Sequence, residues 1–236
     1  MQLKKDDSYL INQFLAKYKM KIKFVLSFCC IIFFANIISG QISFNKEPDI
    51  RVRIIYTLDS LKIIFNSHWI LSSSDQKNSI YFNAGDSILL TIEEDSILMK
   101  RSNSAQSNKF TKMFLNGENR NNTLTIKDVP FGIGWWWEGI EDRIYEGDIE
   151  ISINENIKFD VIVTLPLEKY LCGVVPYEIG NDTPIVALKS QVIAARSETV
   201  SAIISGKYRG SNFDICADVE CQVFAGNNKR TPETDK

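Results

Sequence analysis

Short runs in which apolar and polar residues alternate recur from Ile50 to about Thr164. "IRVRIIY", "LKIIFNS", "SIYFNAGDSILLTIE", "NTLTIKDVPF" and "GDIEISINENIKFDVIVTLPL" are rich in β-branched residues and are separated by Gly, Asn, Asp and Ser. A period of two sends successive side chains to opposite faces, so the pattern predicts a series of strands and turns. No repeat of fixed period runs through it. The stretch "RSNSAQSNK", Arg101 to Lys109, has no apolar period and reads as an exposed loop.

After Pro166 the period changes. In "NDTPIVALKSQVIAARSETVSAIISGK", Leu188, Val192, Ala195, Thr199 and Ile203 fall on one mostly apolar helical face. Thr183 is placed to cap that helix, Pro184 to occupy its first position and Gly206 to stop it, which predicts a helix over about 184–205. The fold class that follows is α+β: a β-rich part over 41–160, then strand and helix over 161–236. The polar end "NNKRTPETDK" stops where another element could begin, so the chain reads as C-terminally truncated.

Charge and composition divide the chain further. Residues 1–40 hold six Lys and two Asp, which leaves 21 basic and 27 acidic residues beyond them, a charge of −6. Bulk charge therefore argues against nucleic acid as a partner. The charge split has a cause: Lys21 and Lys23 precede an apolar run from Phe24 to Ile38, followed by Ser39 and Gly40. This is a secretory signal pattern over about 20–40, too short for a comfortable bilayer span of about 20 residues. Residues 1–19 carry Asp6 and Asp7 with no apolar core, so Met20 reads as the biological start. Export to the periplasm or cell envelope is expected. The mature chain would then keep Cys172, Cys216 and Cys221 in an oxidising compartment.

Four sets of residues could carry chemistry. Glu178, in "GVVPYEIGND", follows a strand-like apolar approach; enclosure by Val174, Val175, Pro176 and Ile179 would disfavour its charged form and suit a general acid, whereas an exposed turn glutamate would have no such role. Lys189 and Arg196 lie seven apart on the long helix and share a face, either simply solvated or able to grip a carboxylate, phosphate or sugar substituent. Cations close to Glu178 would favour its charged form, so an acid role requires burial to win or the cations to hold substrate. Trp135, Trp136 and Trp137 offer faces for sugar rings, but in a strand they would alternate sides, and core packing or hairpin anchoring is their ordinary use. Finally, Cys216 and Cys221 are spaced Cys-x4-Cys with no second Cys/His pair, which by spacing favours a local disulfide.

Taken together, "LPLEKYLCGVVPYEIGNDTPIVALKSQVIAARSETVSA" and "FDICADVECQVFAG" resemble the stage II sporulation protein D family, which includes the amidase-enhancer proteins. The resemblance runs from about Leu165 to Gly226. It implies a peptidoglycan lytic transglycosylase acting on denuded glycan strands, with 161–236 as its catalytic core segment. The family acid falls on Glu178, with Ile179 replacing the usual Met. Its substrate-binding Lys and Arg fall on Lys189 and Arg196. The family loop typically reads Cys-x3-His-Cys and can hold zinc; here Glu220 stands in place of the histidine, leaving zinc on Cys216, Cys221 and Glu220, a Cys216–Cys221 disulfide, or free thiols as alternatives. Two further readings are a non-catalytic wall-binding module that stimulates a partner amidase, and a two-carboxylate muramidase pairing Glu178 with Asp182.

Overall fold

The computed structural model describes residues 46–235 apart from Asp75. The signal segment and the residues before it lie outside the described residues. From Glu47 onward the chain forms one compact unit. Its strands are β1 (Asp49–Ile55), β2 (Ser60–Phe65), β3 (Trp69–Ser73), β4 (Gln76–Phe82), β5 (Ser87–Glu93), β6 (Ser96–Arg101) and β7 (Ser107–Phe110). Then follow β8 (Met113–Gly117), β9 (Thr123–Phe131), β10 (Gly139–Glu146), β11 (Asp148–Ile153), β12 (Phe159–Pro166) and the two-residue β13 (Ile215–Cys216). Two helices, α1 (Leu167–Ile179) and α2 (Ile185–Ser205), come between β12 and β13. The architecture is α+β.

The strands form two sheets, ordered β13-β1-β12-β11-β8-β3-β4 and β10-β9-β2-β5-β6-β7. Their inward residues join one buried cluster. Period-two patterning is its cause: in β1, Ile50, Val52 and Ile54 are buried while Arg51 and Arg53 point outward. β1 pairs antiparallel with β12 and parallel with β13, so it lies between two segments from the far end of the chain. The expected division at 160/161 falls inside β12, which is hydrogen-bonded to both β1 and β11.

Several elements differ from the sequence expectation. The loop expected over 101–109 is confined to the residues between β6 and β7, because Ser107 to Phe110 pair with Ile97 to Lys100. The approach to Glu178 is helical, not strand-like: Leu167, Tyr170, Leu171 and Val174 stand at i, i+3, i+4 and i+7 and are all buried. Thr183 does not cap α2; its hydroxyl donates to the Ile179 carbonyl and closes the link between the helices, while Pro184 stands at the cap position. The predicted face of α2 does face inward, with Leu188, Ala195 and Thr199 buried, and Gly206 ends it in the left-handed conformation.

Candidate functional site

The segment after β13 is held between the two helices by Gln222. The Tyr170 hydroxyl donates to Gln222 Oε1 at 3.1 Å and the Thr199 hydroxyl to the same oxygen at 3.0 Å. Gln222 Nε2 donates to the Ala195 carbonyl at 3.2 Å and to Glu198 at 3.2 Å. All three side chains are buried, and each polar group of the glutamine amide is satisfied, so the segment is rigidly placed. Burial, with Glu178 and Glu198 nearby, pushes the Tyr170 phenol far above its ordinary value and keeps it a donor. The next residues extend the clamp: Phe224 packs between Tyr145 and Tyr170, with ring centroids 6.0 and 5.0 Å away.

This clamp presents the Val223 N–H to Glu178, whose Oε1 accepts it at 2.9 Å. Glu178 is in the last turn of α1, two residues before the capping Gly180, and is exposed. The apolar enclosure expected for it is therefore not formed: Val174, Val175 and Pro176 are buried in the core, whereas Glu178 stands at the end of the helix and is exposed. In the last turn of α1 the carboxylate meets the negative end of that helix's dipole.

The two expected substrate cations separate. Arg196 makes a two-pronged ion pair with Glu168 in the first turn of α1, at 2.8 and 2.6 Å. That is ten residues, about 15 Å of helix rise, from Glu178. Lys189 is exposed on the second turn of α2. Among the described residues no ion pair joins either cation to Glu178. Asp182, the second carboxylate of the muramidase reading, is exposed in the turn between the helices.

Cys216 and Cys221 are joined as a disulfide, with Cα atoms 5.7 Å apart. Of the three residues named for zinc, the two cysteines are thus paired with each other and Glu220 is exposed. Among the described residues no group of three His, Cys, Asp or Glu is arranged to hold a metal ion. The Tyr208 hydroxyl lies 3.1 and 3.0 Å from the two sulfurs, and Lys207 Nζ donates to the Glu220 carbonyl at 2.8 Å. Cys172 is the free thiol among the described residues, and burial pushes its pKa up.

Beside Glu178 opens a cleft of about 540 Å³, lined among others by Tyr177, Val223, Lys229, Arg53, Trp135 and Trp137. Lys229 Nζ stands 4.2 Å over the Tyr177 ring. Burial and the neighbouring Glu141, to which the hydroxyl hydrogen-bonds, push the Tyr177 phenol up to about 12, so it stays protonated. The tryptophans correct the strand expectation: all three lie in the turn between β9 and β10, not in a strand. Gln222, Tyr177 and Lys229 were not legible as site residues, because each reads in sequence as ordinary loop or helix surface. The one available signal was Gln222 standing between Cys221 and the apolar Val223-Phe224-Ala225.

Comparison with known proteins bears on this segment. Residues 155–236 match the family described as Stage II sporulation protein, SpoIID. An uncharacterized protein of Brachyspira hyodysenteriae is 33% identical over 96 residues, which are 41% of this chain and 25% of that protein. The chain therefore spans about a quarter of the length of the curated relative it matches. No solved structure matches the chain.

Proposed function

We propose, from the match of residues 155–236 to the stage II sporulation protein family, an exported lytic transglycosylase that cleaves denuded peptidoglycan strands. Glu178 is its acid and base. The observation that supports this reading best is the Glu178 carboxyl itself, open to solvent beside an aromatic-lined cleft and anchored through one oxygen by the Val223 N–H. With Oε1 occupied, Oε2 is the oxygen that carries the proton.

Hydrolytic glycosidases ordinarily use two carboxyls. A lytic transglycosylase needs one, because the C6 hydroxyl of the muramic sugar is an internal nucleophile. The Glu178 proton passes to the departing glycosidic oxygen as its bond to C1 breaks. The C6 oxygen then bonds to C1 and its proton returns to Glu178, leaving a 1,6-anhydro product. Lys189 and Arg196 position the N-acetyl sugars, Arg196 by exchanging Glu168 for the ligand. Export fits the leader and the Cys216–Cys221 disulfide, a bond that persists in oxidising compartments.

Replacing Glu178 by Gln is expected to lower release of anhydro-sugars from denuded peptidoglycan, read by mass spectrometry, by about 100-fold or more. Release at the parental rate would overturn the assignment. The engagement of Arg196 by Glu168 favours a second reading, a wall-binding module that stimulates a partner amidase. That reading predicts peptide–glycan cleavage only on adding an amidase, equally with parent and Glu178→Gln.

A further inference from the structure

We propose that the tryptophan hairpin between β9 and β10, with the cleft beneath it, is a carbohydrate-binding site that seats a short run of N-acetylated sugar rings leading to Glu178. The site deepens the reading above and rests on it for the identity of the sugar.

The hairpin turn is built, not loose. Gly132 and Gly134 take positive φ of 61° and 80°, which L side chains rarely adopt. Trp135 N–H donates to the Gly132 carbonyl at 2.9 Å, Glu138 N–H to the Trp135 carbonyl at 3.0 Å, and Gly134 N–H to Glu138 Oε2 at 2.9 Å. A Cβ on Gly132 would stand 2.4 Å from the Trp137 ring, so that indole lies directly against the glycine backbone. Phe131, Trp137 and Trp135 then follow one another with centroids 6.4 Å apart at each step and planes inclined by 22° and 24°. These are three nearly parallel apolar faces in a row.

Packing does not account for this arrangement. Trp135 is 55% exposed and Trp136 94%. Leaving indoles in water forgoes most of their burial energy, and clustered exposed aromatics mark a binding surface. Trp135 and Trp137 line the cleft, whereas Trp136 does not.

The rest of the lining selects the ligand. Arg143 is only 4% exposed yet lines the cleft, its Nε held by Glu141 at 2.9 Å. Three cations, Arg53, Arg143 and Lys229, are matched there by three carboxylates, Glu141, Asp218 and Glu220. A balanced set of donors and acceptors suits a ligand rich in hydroxyl and amide groups and of low charge density, and disfavours a densely charged polyanion. The hairpin also carries Glu138, Glu141 and Asp142, which would repel the anionic headgroups that attract basic membrane-binding surfaces. Sugar rings present flat C–H faces with hydroxyls at the rim, so stacked indoles edged by paired charges match them. The cleft reaches the candidate acid through Val223 and Tyr177: both line it, one donates to Glu178 and the other precedes it.

The test is titration of the purified full chain with chitotetraose, followed by tryptophan fluorescence and calorimetry, with pelleting on phosphatidylglycerol–phosphatidylethanolamine vesicles in parallel. The parent is expected to bind the sugar, Trp135→Ala to weaken binding about tenfold or more, Trp135→Phe to recover part of it, and Trp136→Ala to bind as the parent does. Circular dichroism on each variant reads the fold. Parental affinity in Trp135→Ala, no sugar binding at all, or tryptophan-dependent pelleting with vesicles in place of sugar binding would overturn the site. The two readings fail separately. Trp135-dependent sugar binding without anhydro products strikes the transglycosylase reading alone, whereas anhydro products with parental binding in Trp135→Ala strike this site alone.

Discussion

Gly173 lies inside α1, where alanine would ordinarily stabilise a helix by about 1 kcal/mol. Here an added Cβ would stand 2.5 Å from the Phe224 ring and 2.8 Å from the Gly226 carbonyl oxygen. Phe224 is fully buried between Tyr145 and Tyr170 and has no free direction to move. Overpacking costs about 1–3 kcal/mol and outweighs the propensity gain. Gly173→Ala is therefore expected to lower stability by about 1–2 kcal/mol, read by chemical denaturation; a stabilised variant would show that the Gln222 segment does not press on α1. Glu178 was legible from the residues around it, whereas its surroundings were not. The "GVVPYE" run marks a candidate carboxylate, but only the fold shows the valines buried in the core while the carboxyl, at the end of the helix, stays in water.

At the scale of elements, α2 was readable because its apolar period, Pro184 and Gly206 all agree. α1 was not. Gly173, Val174, Val175 and Pro176 all lower helix propensity, and the helix stands because Leu167, Tyr170, Leu171 and Val174 are buried along one face. The Cys216–Cys221 bond closes a short loop at the end of β13. Removing a loop of this length's constraint on the unfolded chain is worth about 2 kcal/mol. Reductant is expected to lower the midpoint of thermal unfolding by about 4–8 °C, measured by calorimetry. An unchanged midpoint would mean the two sulfurs are not joined in the protein.

For the whole molecule, Glu150 couples β11 to its surroundings. Its carboxylate takes Arg51 at 2.9 Å and Lys112 at 2.6 Å. Burial alone would raise its pKa, but the hydrogen bonds from Lys112 and Arg51 prevail and hold it below the ordinary 4.5. A depressed carboxyl contributes stability above its unfolded value and loses it as pH falls through the folded one. Glu150→Gln is expected to cost about 1–2 kcal/mol at neutral pH, the partners being more than a third exposed. The gap from the parent should close as pH drops below about 4.5, and a gap constant from pH 7 to 3 would refute the pairing. The sequence by itself determined the alternating strands, the long helix and the change of period at Pro166, because these are local matters of period, capping and propensity. Tertiary structure alone decided that β13 returns beside β1, that Arg196 meets Glu168 and that Trp135 and Trp137 line a cleft. Those outcomes depend on which distant segments share a face once the chain has closed, and no local period records that.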